Sequence, residues 1–141
     1  MPIRNAEATW EGKLKEGKGT LKSETGAVEA AYSFSSRFEQ GRGTNPEELI
    51  GAAHAGCYSM AFSGLLEQAG YNPERIHTRA KVHIEQRGEG FKITLIELNT
   101  SAVVPGIDEE TFLTQAKAAK NDCPVSQALK GIEIKLTASL E

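Results

Sequence analysis

The most informative stretch of the sequence is residues 43–66, GTNPEELIGAAHAGCYSMAFSGLL. Thr44 or Asn45 can cap a helix, and Pro46 suits the first helical position. The two glutamates that follow complement the helix dipole, and Gly70 ends the pattern. The last eighteen residues of the stretch carry no charge. Because its apolar residues face nearly every direction, we expect one long buried helix, central to the fold or to a dimer.

This uncharged run also meets the length criterion for a membrane-spanning helix. We reject that interpretation, because glycine, histidine, cysteine and serine interrupt the run and no second such run accompanies it. Ala52, Gly56, Ser59 and Ser63 recur at steps of four and three, which places small side chains along one face. We expect another element to approach the helix closely along this stripe.

Alternation of apolar and polar residues predicts the remaining elements. Before the helix we expect strands at 3–10, 18–23 and 27–35, then a polar loop at 37–43. After it we expect a hairpin of strands 76–85 and 91–103, helices at 109–120 and 124–130, and a strand at 132–140. The apolar phase slips between Leu95 and Ile96, which suggests a bulge or burial on both faces of the strand. These elements describe an α+β fold in a single domain over residues 1–141.

Composition narrows the classes of function. The chain has 141 residues and a net charge of −3, which argues against a nucleic-acid binder, since such a protein needs a basic face. No apolar run follows Arg4, so we expect no secretory signal and a cytoplasmic location. Two cysteines in a reducing compartment seldom form a structural disulfide, so Cys57 and Cys123 are the candidates for redox chemistry.

Local arguments leave the roles of the two cysteines open. Cys57 lies about three turns into the uncharged helix, where burial would make the thiol inert unless a cation lies beside it. Cys123 precedes Pro124 at a helix start, where free N–H groups favour a thiolate. On this reasoning Cys123 is the more acidic thiol, although a plain helix-capping position explains it equally well.

Arg37 and Arg42 are the candidate cations, with a solvated surface charge as the alternative for either. Glu47 lies ten positions before Cys57 and Glu48 nine, so Glu47 is displaced by about 80° around the helix and Glu48 faces the opposite side. Glu47 is therefore the better partner, although it lies about 15 Å away along one straight helix. Antiparallel packing of two such helices would close that gap, which predicts a site at a homodimer interface.

Several segments together resemble the OsmC/Ohr superfamily of thiol-dependent organic hydroperoxide reductases. The main ones are residues 43–57, GTNPEELIGAAHAGC, and residues 123–127, CPVSQ. The others are ATWEG at 8–12, GKGT at 17–20, RFE at 37–39 and VPGID at 104–108. The order and spacing of all six segments along the whole chain carry the resemblance.

The resemblance implies an OsmC-like fold, with an N-terminal three-stranded antiparallel sheet and an intertwined homodimer. It implies a peroxidase for stress defence that needs no cofactor and takes electrons from an external dithiol, a lipoyl protein or a thioredoxin-like protein. It implies that Cys57 is the peroxidatic cysteine and Cys123 the resolving one, which reverses the local argument. Arg37 would stabilise the Cys57 thiolate and orient the peroxide, and Glu47 would hold Arg37.

Two alternatives compete with this interpretation. His54 lies three residues before Cys57 on one helical face, so His54, Cys57 and Cys123 could bind a metal ion. The protein could also be a non-catalytic binding protein whose cysteines belong to the core.

Overall fold

The computed structural model describes all of residues 1–141 and divides into two units, Met1–Leu49 and Ile50–Glu141. The first unit contains three antiparallel strands in the order β1 (Ala6–Glu11), β2 (Lys18–Ser23) and β3 (Glu29–Tyr32). Gly19 pairs with Trp10 on one side and Tyr32 on the other, and a Cβ there would collide with both rings. The predicted three-stranded antiparallel sheet is confirmed, and the single domain stays a prediction.

A short helix follows the sheet, where we had expected the end of a strand and a polar loop. Helix α1 is Phe34–Phe38. The backbone N–H of Ser36 donates to Ser33 Oγ at 3.1 Å, and the N–H of Ser33 donates to Ser36 Oγ at 2.8 Å. This reciprocal capping box satisfies two N–H groups that a strand would have paired elsewhere. The expected strand at 27–35 was therefore too long.

The long helix α2, Pro46–Gln68, begins and ends as expected. The N–H of Glu48 donates to Asn45 Oδ1 at 2.7 Å, so Asn45 caps the helix. Gly70 has a φ of 94°, a left-handed conformation that favours glycine, and Tyr71 N–H donates to Leu66 O at 2.9 Å. By length and composition alone, α2 could cross a membrane.

The second unit contains a mixed sheet in the order β4 (Arg75–Arg87), β5 (Gly90–Val103) and β6 (Glu133–Leu140). Strands β4 and β5 form the predicted antiparallel hairpin, and β6 runs parallel to β5. The register shifts opposite His83 and Ile84, so the expected bulge exists but lies just before Leu95. Helices α3 (Glu109–Asp122) and α4 (Pro124–Ala128) form the connection from β5 to β6 that parallel pairing requires.

One face of α2 forms the centre of the second unit's core. His54, Tyr58, Phe62 and Leu66, spaced four apart, are fully buried. Tyr58, Phe62 and Leu66 belong to a hydrophobic cluster that also includes Ile96, Leu98, Phe112, Ala116, Ala119 and Cys123. The opposite face is uncovered, and Met60 is 79% exposed. The helix is therefore central to the fold through one face, and the dimer that would cover the other face stays a prediction.

The expected stripe of small residues divides between two environments. Ser59 Oγ lies 2.8 Å from Thr78 Oγ1 on β4, whereas Ala52 and Gly56 are exposed. Strand β4 also packs closely against Gly51, which lies outside the stripe, since an added Cβ there would lie 3.3 Å from Val82. Only part of the predicted stripe meets another element of this chain.

Candidate active site

The first unit brings two of the predicted site residues into direct contact. Arg37 Nε and Nη2 each lie 2.9 Å from Glu47 Oε1, and Nε lies 3.3 Å from Oε2. The Glu47 side chain is 9% exposed and that of Arg37 is 39% exposed. Planar guanidinium groups suit such pairing with a carboxylate, which fixes the orientation of the arginine. The buried carboxylate therefore holds a cation whose other side remains accessible.

The start of α2 is tied to α1 by hydrogen bonds around this ion pair. Ser36 Oγ donates to Thr44 O at 2.7 Å, and Asn45 Nδ2 donates to Ser36 O at 3.1 Å. Glu48, the other carboxylate we considered, accepts from Thr44 Oγ1 at 2.7 Å instead of contacting Arg37. Glu47 and Glu48 therefore occupy different environments, as their helical positions predict.

The second unit brings the two cysteines together, although 66 positions separate them. Cys57 lies in the middle of α2, and Cys123 lies at the junction of α3 and α4. Pro124 prevents Cys123 from continuing α3, and Cys123 has extended dihedrals of −55° and 126°. The Cys123 thiol donates to Cys57 Sγ at 2.9 Å, and both cysteines are free. Two thiols so placed can form a disulfide with little movement.

The two sulfur atoms differ in accessibility. Cys57 is partly exposed, whereas Cys123 is fully buried. Tyr58 donates its hydroxyl to Ala116 O at 3.0 Å, and burial, then the nearby Cys123, raises its pKa. The Phe62 and Phe112 rings, 5.3 Å apart, belong to the same core cluster as Cys123. A reagent from solvent can therefore approach Cys57 only.

Burial raises the pKa of the Cys57 thiol, and the hydrogen bond with Cys123 raises it further. The backbone N–H of Val125, at the start of α4, hydrogen-bonds to Cys57 and lowers its pKa. We had expected the start of α4 to act on Cys123, but this N–H acts on Cys57. The net shift is upward, so Cys57 needs a further positive charge to become a thiolate near neutral pH.

Residues 39–137 match the sequence profile described as OsmC-like protein. The chain belongs to the OsmC-like family. It is 49% identical over 139 residues to Peroxiredoxin OsmC of Escherichia coli strain K12, covering 98% of this chain and 96% of that protein.

Two further relatives of this OsmC-like chain carry another name. Over 99 residues the chain is 35% identical to an Organic hydroperoxide resistance protein of Xanthomonas axonopodis pv. citri, covering 69% of this chain and 68% of that protein. A solved organic hydroperoxide resistance protein from Elizabethkingia anophelis superposes with a TM-score of 0.73 and 28% identity, covering 99% of both chains. The expected OsmC-like fold is confirmed.

The alternative metal site is not formed in this OsmC-like protein. The structure contains no group of three or more His, Cys, Asp or Glu side chains that could hold a metal ion. His54 Nε2 instead lies 2.7 Å from Ser126 Oγ, and both residues are buried. Our assignment of His54, Cys57 and Cys123 as possible metal ligands was therefore wrong.

Sequence reasoning missed the contact between His54 and Ser126. Its signal was present, because His54 lies three residues before Cys57 and Ser126 lies three residues after Cys123. Residues three apart share one face of a helix, so a contact at one pair favours a contact at the other. Sequence reasoning also missed Val125, whose contribution is a backbone N–H and has no side-chain signal.

Proposed function

We propose that this chain is a cysteine-based peroxidase that reduces organic hydroperoxides to alcohols in stress defence. The observation that carries the proposal is the 2.9 Å separation of an accessible sulfur, on Cys57, from a fully buried one, on Cys123. Relatives named as a peroxiredoxin and as an organic hydroperoxide resistance protein support it. Cys57 is the peroxidatic cysteine because a peroxide can reach it, and Cys123 is the resolving cysteine.

The reaction has three steps. The Cys57 thiolate attacks the distal oxygen of the peroxide, the O–O bond breaks, and the alkoxide leaves and takes a proton to become the alcohol. Cys57 is now a sulfenic acid. The Cys123 thiol then attacks Cys57 sulfur, forming a disulfide and releasing water. An external dithiol, from a lipoyl or thioredoxin-like protein, restores both thiols by exchange and becomes a disulfide itself.

Arg37 supplies the positive charge that the first step requires. A guanidinium beside Cys57 stabilises the thiolate and donates hydrogen bonds to the peroxide oxygens. Glu47 is the positioning residue that holds Arg37 in the necessary orientation, since both oxygens of its buried carboxylate accept from Nε and one forms an ion pair with Nη2. The partly exposed Arg37 side chain leaves donors available for a substrate.

The active protein is a homodimer that works in the cytoplasm, with Arg37 and Cys57 of each site brought together at the interface. Five of the six residues of β1 are exposed in the single chain, and a three-stranded sheet needs a covered face to be stable. The exposed face of α2 around Cys57 includes Ala53, Gly56 and Met60, which are small or apolar. A second copy would cover these surfaces, and the apolar side chains would favour alkyl peroxides.

The test is a thiol titration with cumene hydroperoxide. One equivalent should consume two thiols per chain and yield a Cys57–Cys123 disulfide. Cys57→Ser should abolish the reaction, and Cys123→Ser should leave a sulfenic acid that dimedone traps. No loss of thiols under these conditions would instead favour a non-catalytic binding protein.

A further inference from the structure

A second contact joins α2 to the start of α4 beside the two thiols. His54 Nε2 and Ser126 Oγ lie 2.7 Å apart. His54 is fully buried and Ser126 is 4% exposed. The contact lies one helical turn from the sulfur pair on each element, since three residues separate His54 from Cys57 and Cys123 from Ser126. With the backbone N–H of Val125 on Cys57, three contacts therefore connect the same two segments side by side.

The protonation state of His54 follows from its surroundings. Burial lowers the pKa of the imidazole, so the ring is neutral, with one donor and one acceptor nitrogen. Nδ1 is buried and has no hydrogen-bond partner. Because a buried N–H without an acceptor is rarer than a lone pair without a donor, Nε2 carries the proton and donates to Ser126 Oγ. Losing this bond would leave a buried polar atom without a partner, which is costly.

Helix α4 needs an external support. It has only five residues, and Cys123 at its N-cap makes no side-chain capping bond. A helix of this length does not form by itself in water. The bond between His54 and Ser126 involves neither sulfur, so it joins α2 to α4 whether or not Cys57 carries an oxygen.

We propose that His54 and Ser126 are positioning residues that keep Cys123 within reach of Cys57 while Cys57 is a sulfenic acid. The proposal rests on the proposed peroxidase function and concerns its second step. Deleting the bond lowers the effective concentration of Cys123 at Cys57, so the sulfenic acid lives longer and the disulfide becomes easier to reduce.

Two measurements on Ser126→Ala test the proposal. The first is the fraction of Cys57 that dimedone traps after one equivalent of cumene hydroperoxide. The second is the reduction potential of the Cys57–Cys123 pair in glutathione buffers, which needs no peroxide. A neutral hydrogen bond contributes about 1 kcal/mol, which corresponds to a change of about five-fold in a rate or equilibrium constant. We therefore expect about five-fold more trapping and a potential about 20 mV less negative than that of the unmodified protein.

Three variants separate positioning from general destabilisation. Ser126→Thr retains the hydroxyl and should restore both values. His54→Phe should resemble Ser126→Ala, and the double variant should be no worse than either single variant, because one bond is lost in each case. Ser59→Ala is the matched control, since it removes another serine hydroxyl bond from α2, to Thr78, without touching α4.

Unchanged trapping and an unchanged potential in Ser126→Ala would overturn the proposal, as would equal changes in Ser59→Ala. If His54→Phe fails to fold, the two Ser126 variants still give the answer. A protein that reduces no peroxide would refute the proposed function, whereas the potentials in glutathione would still test the positioning role.

Discussion

Replacing Glu47 by glutamine tests whether the ion pair in the first unit serves the peroxidatic thiol. The substitution keeps the size of the side chain and one carbonyl acceptor but removes the negative charge that faces Arg37. Arg37 Nε donates to Glu47 Oε1 at 2.9 Å and to Oε2 at 3.3 Å, and Nη2 lies 2.9 Å from Oε1, so the change weakens two charge-assisted hydrogen bonds and an ion pair. In the proposed mechanism, Arg37 then samples other orientations and stabilises the Cys57 thiolate less.

The magnitude follows from the geometry and the exposure. Hydrogen bonds to charged groups contribute about 1.5–3 kcal/mol, and the lower end applies because the Arg37 side chain is 39% exposed and solvent screens it. The amide of glutamine recovers part of this contribution, which leaves a loss of about 1 kcal/mol. At about 1.36 kcal/mol per tenfold, the rate constant for Cys57 oxidation should fall by about five-fold.

The assay is stopped-flow oxidation by cumene hydroperoxide, with thiol loss as the signal. Glu48→Gln is the matched control, because Glu48 is the adjacent carboxylate and bonds Thr44 instead of Arg37. The reasoning is refuted if Glu47→Gln reacts as fast as Glu48→Gln while Arg37→Ala is slow, since Arg37 would then act without Glu47.

Three further predictions concern the dimer, the thiol and the packing. Mixing Arg37→Ala and Cys57→Ser subunits should restore about a quarter of the full activity. Half of the dimers are then mixed, and one of the two sites in each mixed dimer is intact. No recovery of activity would place Arg37 and Cys57 of a site on one chain. In Arg37→Ala, alkylation of Cys57 by iodoacetamide should require a pH above about 8.5, the usual thiol pKa, because burial raises the pKa of this thiol. A raised pKa means that the folded state favours the neutral thiol. The free energy of unfolding should therefore fall as the pH rises through the raised pKa. Urea titrations at several pH values measure whether it falls or rises. Gly51→Leu should lower the free energy of unfolding by about 1–3 kcal/mol, because even an added Cβ would lie 3.3 Å from Val82. Gly64→Ala should not lower it, because an added Cβ there meets open space.

Local chemistry made much of the fold predictable. Asn45 and Pro46 start α2, Gly70 ends it with a positive φ, and Asp108 caps α3 by accepting from Thr111 N–H at 2.8 Å. Each signal acts within a few residues, so it can be recognised without knowing the tertiary structure. The alternation of apolar and polar residues also identified the strands, although β3 is shorter than expected.

The errors occurred where local signals compete. Residues 27–35 alternate well enough for a strand, but Ser33 and Ser36 cap each other and start α1 within that range. A serine at the third helical position is a weaker signal than the usual glutamate or glutamine, so the capping box was not recognised. The face of α2 that stays exposed was not recognised, because its residues, such as Ala53, Gly56 and Met60, are small or apolar and carry no charge.

The candidate site depends on contacts between distant residues. Nothing in the local sequence around Cys57 or Cys123 indicates that their sulfur atoms meet, and the resemblance to a family supplied that pairing. The start of α4 was recognised correctly, but its N–H points at a sulfur on another helix. The sequence of a helix terminus indicates which sign of charge the terminus stabilises. It does not indicate which distant residue will lie next to it. The roles of Arg37 and Glu47 stay predictions.

The burial of Cys123 determines how the oxidised protein returns to its starting state. An incoming dithiol can attack only the sulfur it can touch, and that sulfur is on Cys57. Cys123 must then be the leaving group, and the reductant becomes transiently attached to α2. In the proposed reaction, the surface around the middle of α2 therefore selects the electron donor and is also the entrance for the peroxide.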